Sequence, residues 1–305
     1  MLEVYNTSWQ SSESTAVALG YFDGVHTAHR HLIKQMCAYA DENSLTKAVF
    51  TFTKSITLGH KGKDLLTQQQ KLDCMQQLGI DLYYSPDFSD FATLEPEEFV
   101  QKILIKSMNA KAVFCGENFF FGKNRRGNVD VLKKLCNKYN IVFVQTDTVF
   151  MDGEIVSSTA IRNALDSGNM EKAAAMLGRP YSVNLPVVHG KKIGRTMGTP
   201  TINQVYPAGM CTPKDGVYIT CTTVDGVKYP SATGIGSRPT VNGKGQTCET
   251  FILGYEGDLY YKNVQVDFYS YLYAPQKFDS LQELGKMIYS SAQMAEKFLK
   301  EKGII

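Results

Sequence analysis

Apolar and polar residues follow two different periods in the first half of the chain. Short apolar runs, typical of buried strands, alternate with stretches in which apolar residues recur every three to four positions, as on one face of a helix. The predicted strands cover residues 16–19, 48–52, 80–84, 111–115 and 141–145. The predicted helices start near residues 29, 68, 95, 129 and 158. This alternation predicts an α/β domain with a parallel sheet, whose ligands lie at the carboxyl ends of the strands.

The pattern changes after Gly178-Arg179-Pro180. Strand-like runs then follow one another without long helices, and Asp225-Gly226 between two of them predicts a tight hairpin. One amphipathic helix closes the chain, with Ser280 and Glu283 in a capping-box pattern at its start. The change predicts a second domain of antiparallel strands, a small β-barrel, with the boundary near residues 180–184.

Composition indicates a folded chain and gives no support to some partners. The 305 residues are 43% hydrophobic and 20% charged, with a net charge of +2 and no block of like charge that would suit nucleic acid or a membrane surface. We expect no signal peptide and no membrane span, because no apolar run reaches about 18 residues. The seven cysteines stand singly, as free thiols in a reducing compartment do. A cytoplasmic protein is expected.

The segment Gly20 to His29 lies between a predicted strand and a predicted helix. Its glycines let a ligand approach the backbone, and the N-terminus of the helix attracts anions. Two imidazoles, His26 and His29, lie at that end, so the segment predicts a phosphate site. Half of a zinc site is an alternative, but no histidine or cysteine pattern supplies the third ligand. A purely structural histidine pair is the other alternative, and it does not explain the glycines.

Two more segments follow predicted strands. Residues 116–127 place three phenylalanines between glycines and then several basic residues, which suits either a loop lining a planar ligand or a buried aromatic cluster beneath a solvated basic turn. Taken alone, the second interpretation is favoured. In residues 156–162, Ser157 or Ser158 is a plausible helix N-cap, and Arg162 has the planar fork that binds phosphate. A simple cap is the alternative.

Residues 189–203 form a basic, glycine-rich segment in the second half. Such a loop can hold phosphates through backbone N–H groups, and the side-chain oxygens of Thr201 and Asn203 suit a hard cation such as Mg²⁺. The spacing is not that of a Walker A loop. A flexible basic loop, with Thr-x-Asn as turn chemistry, is the alternative.

Together these motifs resemble the bifunctional bacterial riboflavin kinase/FMN adenylyltransferase family, also called FAD synthetase. The matching segments, in the family's order, are Gly20 to His29, Gly116 to Gly122, Ser157 to Arg162, Leu177 to Pro180, Gly194 to Asn203, and Gly236 to Thr240 with Glu249. The resemblance implies a doubly wound α/β nucleotidyltransferase domain over residues 1–182. It also implies an antiparallel riboflavin-kinase β-barrel with a C-terminal helix over residues 183–305.

The resemblance also implies the chemistry and the residues that carry it. Adenylyl transfer from ATP to FMN would use His26, His29 and Arg162, and phosphorylation of riboflavin would use Glu249 as the base. The implied ATP-binding residues are Gly20, Phe22, Asp23, Gly24, Ser158 and Thr159 in one site and Gly194, Arg195 and Gly198 in the other. The implied flavin-binding residues are Asn118, Phe119, Phe121 and Arg125. Thr201 and Asn203 would bind Mg²⁺, and we expect a monomer or weak homo-oligomer.

The sequence departs from the family pattern at four places. Ala28 replaces a glycine in the first motif, residues 51–56 differ from the usual T-F-x-P-H-P turn, Thr233 or Gly234 stands where the kinase has asparagine, and Tyr273 replaces an arginine. The kinase motifs depart more than the adenylyltransferase motifs. Three hypotheses therefore stay open: a bifunctional enzyme, an adenylyltransferase with a weakened or inactive kinase, and a non-catalytic flavin-nucleotide binding or regulatory protein.

Overall fold

The computed structural model describes residues 2–6, 9–53, 63–190, 193–240 and 243–305, with the backbone alone at 193, 237–240 and 243–244. The chain forms two compact units. The first contains Met1–Gly62 and Thr67–Ser157, and the second contains Lys63–Leu66 and Ser158–Ile305. Within the part of the chain described, no helix has the length and apolar character needed to cross a membrane.

The first unit contains one six-stranded parallel sheet with helices between its strands, which confirms the predicted α/β domain. Its strands are β1 (Glu3–Tyr5), β2 (Thr15–Leu19), β3 (Thr46–Phe50), β4 (Leu82–Tyr84), β5 (Ala110–Gly116) and β6 (Val142–Thr146). Its helices are α1 (Thr27–Glu42), α2 (Gln68–Gln77), α3 (Pro96–Phe99, continued as a π-helix over Val100–Ser107) and α4 (Val129–Lys138). A short hairpin of β7 (Phe150–Met151) and β8 (Glu154–Ile155) follows.

The strand order of the sheet locates a binding crevice. Along the sheet the order is β1-β4-β3-β2-β5-β6, so the chain leaves β2 toward β3 on one side and later adds β5 on the other. All five residues of β2 are buried, as expected for a central strand covered on both faces. The carboxyl ends of β2 and β5 therefore meet at a topological switch point, where ligands bind in open parallel sheets.

The second unit contains a closed antiparallel barrel, which confirms the predicted second fold. Its elements are α5 (Ser158–Ser167), α6 (Met170–Leu177), β9 (Tyr181–Val188), α7 (Ile193–Thr196), β10 (Thr201–Val205), β11 (Gly216–Val224), β12 (Val227–Thr240), β13 (Gly243–Ile252), β14 (Asn263–Tyr273) and α8 (Leu281–Glu301). The barrel closes in the order β10-β13-β12-β11-β14-β9. Helix α6 packs on β9 and β14, so this compact unit begins upstream of residue 183, the predicted start of the second domain.

Two local predictions can be compared with the backbone of this unit. Asp225 and Gly226 have φ values of 47° and 81°, as a type I′ turn between β11 and β12 requires. At the start of α8, the Ser280 hydroxyl accepts the backbone N–H of Glu283 at 3.1 Å. The Glu283 carboxylate, however, accepts the N–H of Asp279 at 3.3 Å, so the returning arm of the capping box reaches one residue further upstream.

Candidate active sites

The loop from Gly20 to His29 starts at the switch point of the parallel sheet. The N–H of Gly20 donates to the carbonyl of Phe50 at 3.2 Å, which ties the loop to the end of β3. On the other side, Ala18 is paired with Phe114, so the loop that leaves β5 starts beside it. Asn118 lies in that second loop and is exposed. The fold thus brings the first motif and the Asn118 loop to the same edge of the sheet.

The backbone of this loop adopts conformations that side chains rarely tolerate. Phe22 and Val25 have φ values of 53° and 40°, and both are fully buried, while Gly24 has a φ of 82°. A Cβ on Gly20 would lie 3.0 Å from the Phe22 ring, so a side chain at this position would require that ring to shift. Left-handed conformations at non-glycine residues cost on the order of 1–3 kcal/mol each and are concentrated at functional sites.

The two histidines form a stacked pair at the start of α1. Their ring centroids are 3.6 Å apart, with planes inclined by 16°, and Phe22 packs edge-on against His29 at 5.2 Å. His26 is the N-cap residue, and its Nδ1 accepts the backbone N–H of His29 at 3.4 Å. A neutral His26 with Nδ1 as acceptor carries its proton on Nε2, which can then donate to a ligand.

The electrostatic surroundings of His29 favour its neutral form. Burial, followed by the nearby His26 ring and the Lys71 side chain, lowers the pKa of His29 well below its usual value. Its Nδ1 is buried and has no hydrogen-bond partner among the described residues. An uncharged His29 stacked on His26 is suited to donate a hydrogen bond to a phosphate oxygen.

The aromatic loop separates into an anchored part and an accessible part. Phe121 is 6% exposed, packs against Phe99 at 5.3 Å, and is bonded to Gly127 through both backbone N–H groups at 3.0 Å. Phe119 is half-buried and stacks on Phe121 at 5.8 Å. The alternative interpretation, a buried aromatic cluster, therefore describes Phe121 itself. Contact between Phe121 and a flavin remains a prediction, and Phe119 offers the more accessible ring.

The basic part of the same loop is exposed. The Arg125 guanidinium lies 4.5 Å from the centroid of the Phe120 ring, which is 46% exposed, and Arg125 has a φ of 58°. The loop therefore presents a cation and an aromatic face together, although the sequence interpretation did not single out Phe120. The role of Arg125 in flavin binding remains a prediction.

Helix α5, which carries the S-S-T-x-I-R motif, belongs to the second unit. It begins at Ser158, which puts Ser157 at the N-cap position and Ser158 and Thr159 in the first turn. The Arg162 Nε donates to the carbonyl of Lys63 at 2.8 Å within that unit. Participation of Ser158, Thr159 and Arg162 in the phosphate site of the first unit remains a prediction.

Glu249 lies in the middle of three barrel strands. It is paired with Asn203 on β10 and with Gly234 on β12, so these three residues share one face of the sheet. Side chains directly opposite each other in antiparallel strands have Cβ atoms about 4.5–5.5 Å apart. The predicted kinase base and one predicted magnesium ligand therefore lie side by side. Thr201, two residues before Asn203, lies on the same face and is paired with Phe251.

That face of the barrel forms the wall of a cavity of about 270 Å³. On this wall the polar side chains include Thr201 and Glu249, and Gly234 leaves an open position between side chains. Residues of α8 form the opposite wall. The apolar lining includes Val217, Ala232, Ile235, Phe251, Phe278, Leu284, Met287 and Ile288. A largely apolar cavity with one carboxylate and several hydroxyls is suited to a planar aromatic ligand that carries a reactive polar group.

The barrel departs from the family pattern at Thr233 or Gly234 and at Tyr273, and the surroundings of these residues differ. Thr233 faces the interior, fully buried, and its hydroxyl bonds those of Thr220 and Thr250 at 2.8 and 2.9 Å. Gly234 therefore occupies the cavity position beside Glu249 and leaves open space there. Tyr273 lines the cavity too, and its hydroxyl is bonded to Ser291 on α8 at 2.7 Å.

Glycines shape the predicted phosphate-binding loop ahead of β10. A Cβ on Gly194 would lie 2.3 Å from the carbonyl oxygen of Thr199, whose N–H in turn donates to the Gly194 carbonyl at 2.9 Å. Gly198 has a φ of 71°, and the exposed Arg195 donates to the Tyr260 hydroxyl at 3.4 Å. A Cβ on Gly190 would meet the Asn203 side chain at 2.5 Å. Lys191 and Lys192 lie outside the described residues.

Replacing Gly194 by alanine is expected to damage this loop selectively. The new Cβ meets backbone, which cannot rotate away, so the turn closed by Thr199 must open. We expect riboflavin phosphorylation to fall at least about tenfold with a raised KM for ATP, because the loop backbone no longer faces the phosphates. Steady-state kinetics of both reactions test this. An unchanged KM for ATP in the folded variant would contradict the assignment, and FAD formation from FMN is the internal control.

Two features of the site region were predicted differently or not at all. Thr201 and Asn203 lie on a regular strand, β10, rather than in a loop, since both pair with β13. The sequence analysis did not identify Lys71. A signal was present, because Lys71 precedes Cys74 by three positions and Met75 by four and so lies on the apolar face of α2. Among the described residues, no group of three or more histidine, cysteine, aspartate and glutamate side chains is arranged to hold a metal ion.

Comparison with known proteins gives matches over both units. The FAD synthetase family matches residues 8–160, and the riboflavin kinase family matches residues 177–299. The chain is 32% identical over 301 residues to the bifunctional riboflavin kinase/FMN adenylyltransferase of Escherichia coli (strain K12), which covers 97% of this chain and 96% of that protein. It is 31% identical over 299 residues to the protein of the same name from Bacillus subtilis (strain 168), with 95% and 94% covered.

A solved structure has a similar fold. It is described as a macrolide-efflux protein from Streptococcus pneumoniae, and it superposes with a TM-score of 0.85 at 28% sequence identity. The match covers 96% of this chain and 98% of that one. The similarity therefore extends over the parallel sheet, the barrel and the helices of both units.

Proposed function

The chain belongs to the bifunctional riboflavin kinase/FMN adenylyltransferase family, and we propose that its two phosphate sites divide the two reactions between them. It is an enzyme of FAD biosynthesis, which phosphorylates riboflavin to FMN with ATP and adenylylates FMN to FAD with release of pyrophosphate. One observation carries the division: Glu249 faces Asn203 at an apolar cavity of the barrel, whereas the His26–His29 pair belongs to the other unit.

Adenylyl transfer is assigned to the loop of the first motif. A phosphate oxygen of FMN forms a bond to the α-phosphorus of ATP, while the bond to the β-phosphate oxygen breaks and pyrophosphate leaves with that electron pair. The FMN phosphate is already ionised near neutral pH, so the site needs positioning and charge stabilisation rather than a base. The neutral His29 ring, the His26 ring and the loop backbone between Gly20 and Gly24 would donate to phosphate oxygens. We propose that Ser158, Thr159 and Arg162 also bind phosphate in this reaction.

Flavin binding in the same site is assigned to the loop after β5. Asn118 and Phe119 are the accessible residues there, and the exposed Arg125 adds a cation. Their place beside the first motif at the switch point supports this assignment. Phe121, buried beneath them, would act by holding Phe119 in place.

Phosphorylation of riboflavin is assigned to the barrel. The neutral 5′-hydroxyl of riboflavin must lose a proton as its oxygen bonds to the γ-phosphorus of ATP and ADP leaves, so a carboxylate has to be within reach. Glu249 would accept that proton with the flavin ring in the apolar cavity. The backbone of Gly194 and Gly198 and the Arg195 side chain would face the phosphates.

Mg²⁺ fits the residues of the barrel site. Thr201, Asn203 and Glu249 all offer oxygen atoms from one face of adjacent strands, which are the ligands that a hard cation prefers. Mg²⁺ usually keeps few protein ligands and completes its shell with phosphates and water. We propose that Thr201 and Asn203 hold it. When bound, Mg²⁺ neutralises charge on the ATP phosphates.

We propose that residues 1–182 form the FMN adenylyltransferase domain and residues 183–305 the riboflavin kinase domain. The two family matches support it, since one ends at residue 160 and the other starts at 177. We also propose a cytoplasmic protein, a monomer or weak homo-oligomer, that acts on riboflavin, FMN and ATP without nucleic-acid or membrane partners. All seven cysteines lie among the described residues, and none forms a disulfide, which supports a reducing compartment.

One experiment tests the function directly. The protein is incubated with ATP and Mg²⁺, once with riboflavin and once with FMN, and the flavins are separated by chromatography. We expect FMN and FAD from the first tube and FAD from the second. Absence of any product from both tubes would contradict the enzymatic assignment and, with tight flavin binding, would favour a non-catalytic binding protein.

The second candidate is an adenylyltransferase with a weakened kinase. Two observations favour it: Gly234 leaves the position beside Glu249 without a side chain, and Tyr273 is bonded to Ser291 on α8 rather than offering a cation. FAD from FMN, without FMN from riboflavin, would establish this candidate and exclude the bifunctional one.

A further inference from the structure

Lys71 on α2 is a buried cation beside the phosphate loop of the first unit. It is 6% exposed, and among the described residues it is the only buried lysine or arginine. Its Nζ donates to the carbonyl of Tyr21 at 3.2 Å and lies 4.4 Å from the centroid of the Tyr21 ring. The ammonium group therefore lies directly against the backbone and the ring of a residue of the first motif.

Lys71 reaches the loop from one particular side. Helix α2 connects β3 to β4, so the lysine approaches from the β3 side of β2, whereas Asn118 follows β5 on the opposite side. The Thr51 hydroxyl, directly after β3, donates to the same Tyr21 carbonyl at 3.2 Å. The ammonium and this hydroxyl therefore meet at a single oxygen of the first motif.

Two buried hydroxyls lie at the end of the neighbouring strand, β4. Tyr83 and Ser85, at the end of β4, are 0% and 1% exposed. Burial raises the pKa of Tyr83 to about 12, and Gln68, Ser85 and Thr51 lie close enough to oppose that rise. Yet within the described part of the chain neither the Tyr83 nor the Ser85 hydroxyl makes a hydrogen bond of normal length and angle. Buried polar groups are normally satisfied, so these two point to a polar ligand.

The reaction itself calls for a cation beside the attacking phosphate. Adenylyl transfer brings the phosphate dianion of FMN against the α-phosphate of ATP, and the attacking and leaving oxygens lie roughly in line across the phosphorus atom. Two anions can approach only where a positive charge offsets their repulsion.

We propose that Lys71, with the hydroxyls of Tyr83 and Ser85, holds the phosphate group of FMN during adenylyl transfer. The inference rests on the proposed function, because FMN is the attacking substrate only in that scheme. The cluster would recognise a phosphate monoester and so distinguish FMN from riboflavin. The same charge helps to keep His29 neutral, which leaves the histidine a hydrogen-bond donor to the α-phosphate.

Steady-state kinetics of the full chain test the proposal with three variants. Lys71→Met removes the charge but keeps the length, Lys71→Arg keeps a charge, and Lys34→Met removes an exposed lysine from α1 as the matched control. For Lys71→Met we expect kcat/KM for FMN to fall about 10- to 100-fold, the effect of losing a hydrogen bond to a charged group. The KM for ATP and riboflavin phosphorylation should change less than about twofold. Lys71→Arg should recover part of the loss, and Lys34→Met should match the wild type.

Other outcomes overturn the proposal in distinct ways. Equal increases in KM for FMN and ATP would mean that Lys71 only supports the shape of the loop. If Lys71→Met lowers the thermal stability so far that it does not fold, Ser85→Ala takes its place, with the same selective rise in KM for FMN expected. A wild-type protein that makes no FAD from FMN would refute the proposed function itself, whatever the variants do.

Discussion

Replacing Glu249 by glutamine is expected to abolish phosphorylation of riboflavin and to spare formation of FAD from FMN. Glutamine keeps the shape of the side chain but cannot accept the proton of the 5′-hydroxyl. Removal of a general base costs about 10²- to 10⁴-fold in rate. Chromatographic separation of flavins after incubation with riboflavin or FMN measures both reactions in one preparation.

The matched control for this variant is Glu256→Gln, which changes an exposed glutamate in the same unit. It should leave both activities unchanged. Because Glu249 is half-buried beside Asn203, thermal unfolding should accompany the kinetics, and we expect a shift of no more than a few degrees. Loss of both activities in a folded Glu249→Gln variant would contradict separate sites for the two reactions.

Replacing His29 by alanine is expected to lower FAD formation from FMN about 10²- to 10³-fold, the usual effect of removing one preorganised donor to a developing charge. Phosphorylation of riboflavin should change less than about twofold, because the kinase residues belong to the other unit. Initial rates with FMN and with riboflavin give the two numbers.

Two further variants separate the chemistry of His29 from its packing. His29→Phe preserves a ring that can stack on His26 and Phe22 but removes both nitrogens, so it should be as impaired as His29→Ala. His31→Ala removes an exposed imidazole two positions further along α1 and should have wild-type activity. Wild-type rates for His29→Phe, or equal losses in both reactions for His29→Ala, would count against the assignment.

The local features predicted from sequence were those with strong short-range signals. The strand, turn and helix around Gly20 to His29, the alternation of the first half and the Asp225-Gly226 hairpin are all present. Elements with two or three residues per strand, such as β1 and the β7–β8 hairpin, are too short for a hydrophobic period to show. The π-helical continuation of α3 has the same apolar periodicity as an ordinary helix, so the sequence does not distinguish them.

The candidate sites could be predicted only in part. Their glycines were identifiable, because a residue such as Gly194 is required by a close backbone approach. The apolar wall of the barrel cavity could not be identified from the sequence. Helix α8 lies far along the chain from β10 and β13, and only folding brings these elements together. Likewise Thr233 and Gly234 are equivalent candidates in sequence, and the alternation of strand faces decides that Gly234 meets the cavity.

The sequence by itself determined the fold class of each half and the family, since hydrophobic period and motif order are local properties of the chain. The tertiary structure decided which residues share a site. It paired Glu249 with Asn203 through strand register, buried Phe121 while leaving Phe119 accessible, and brought Lys71 to the carbonyl of Tyr21. Glu249 and Asn203 lie 46 positions apart in the chain, and Lys71 and Tyr21 lie 50 positions apart. No local sequence pattern specifies which distant side chains a closed sheet or a packed helix will bring together.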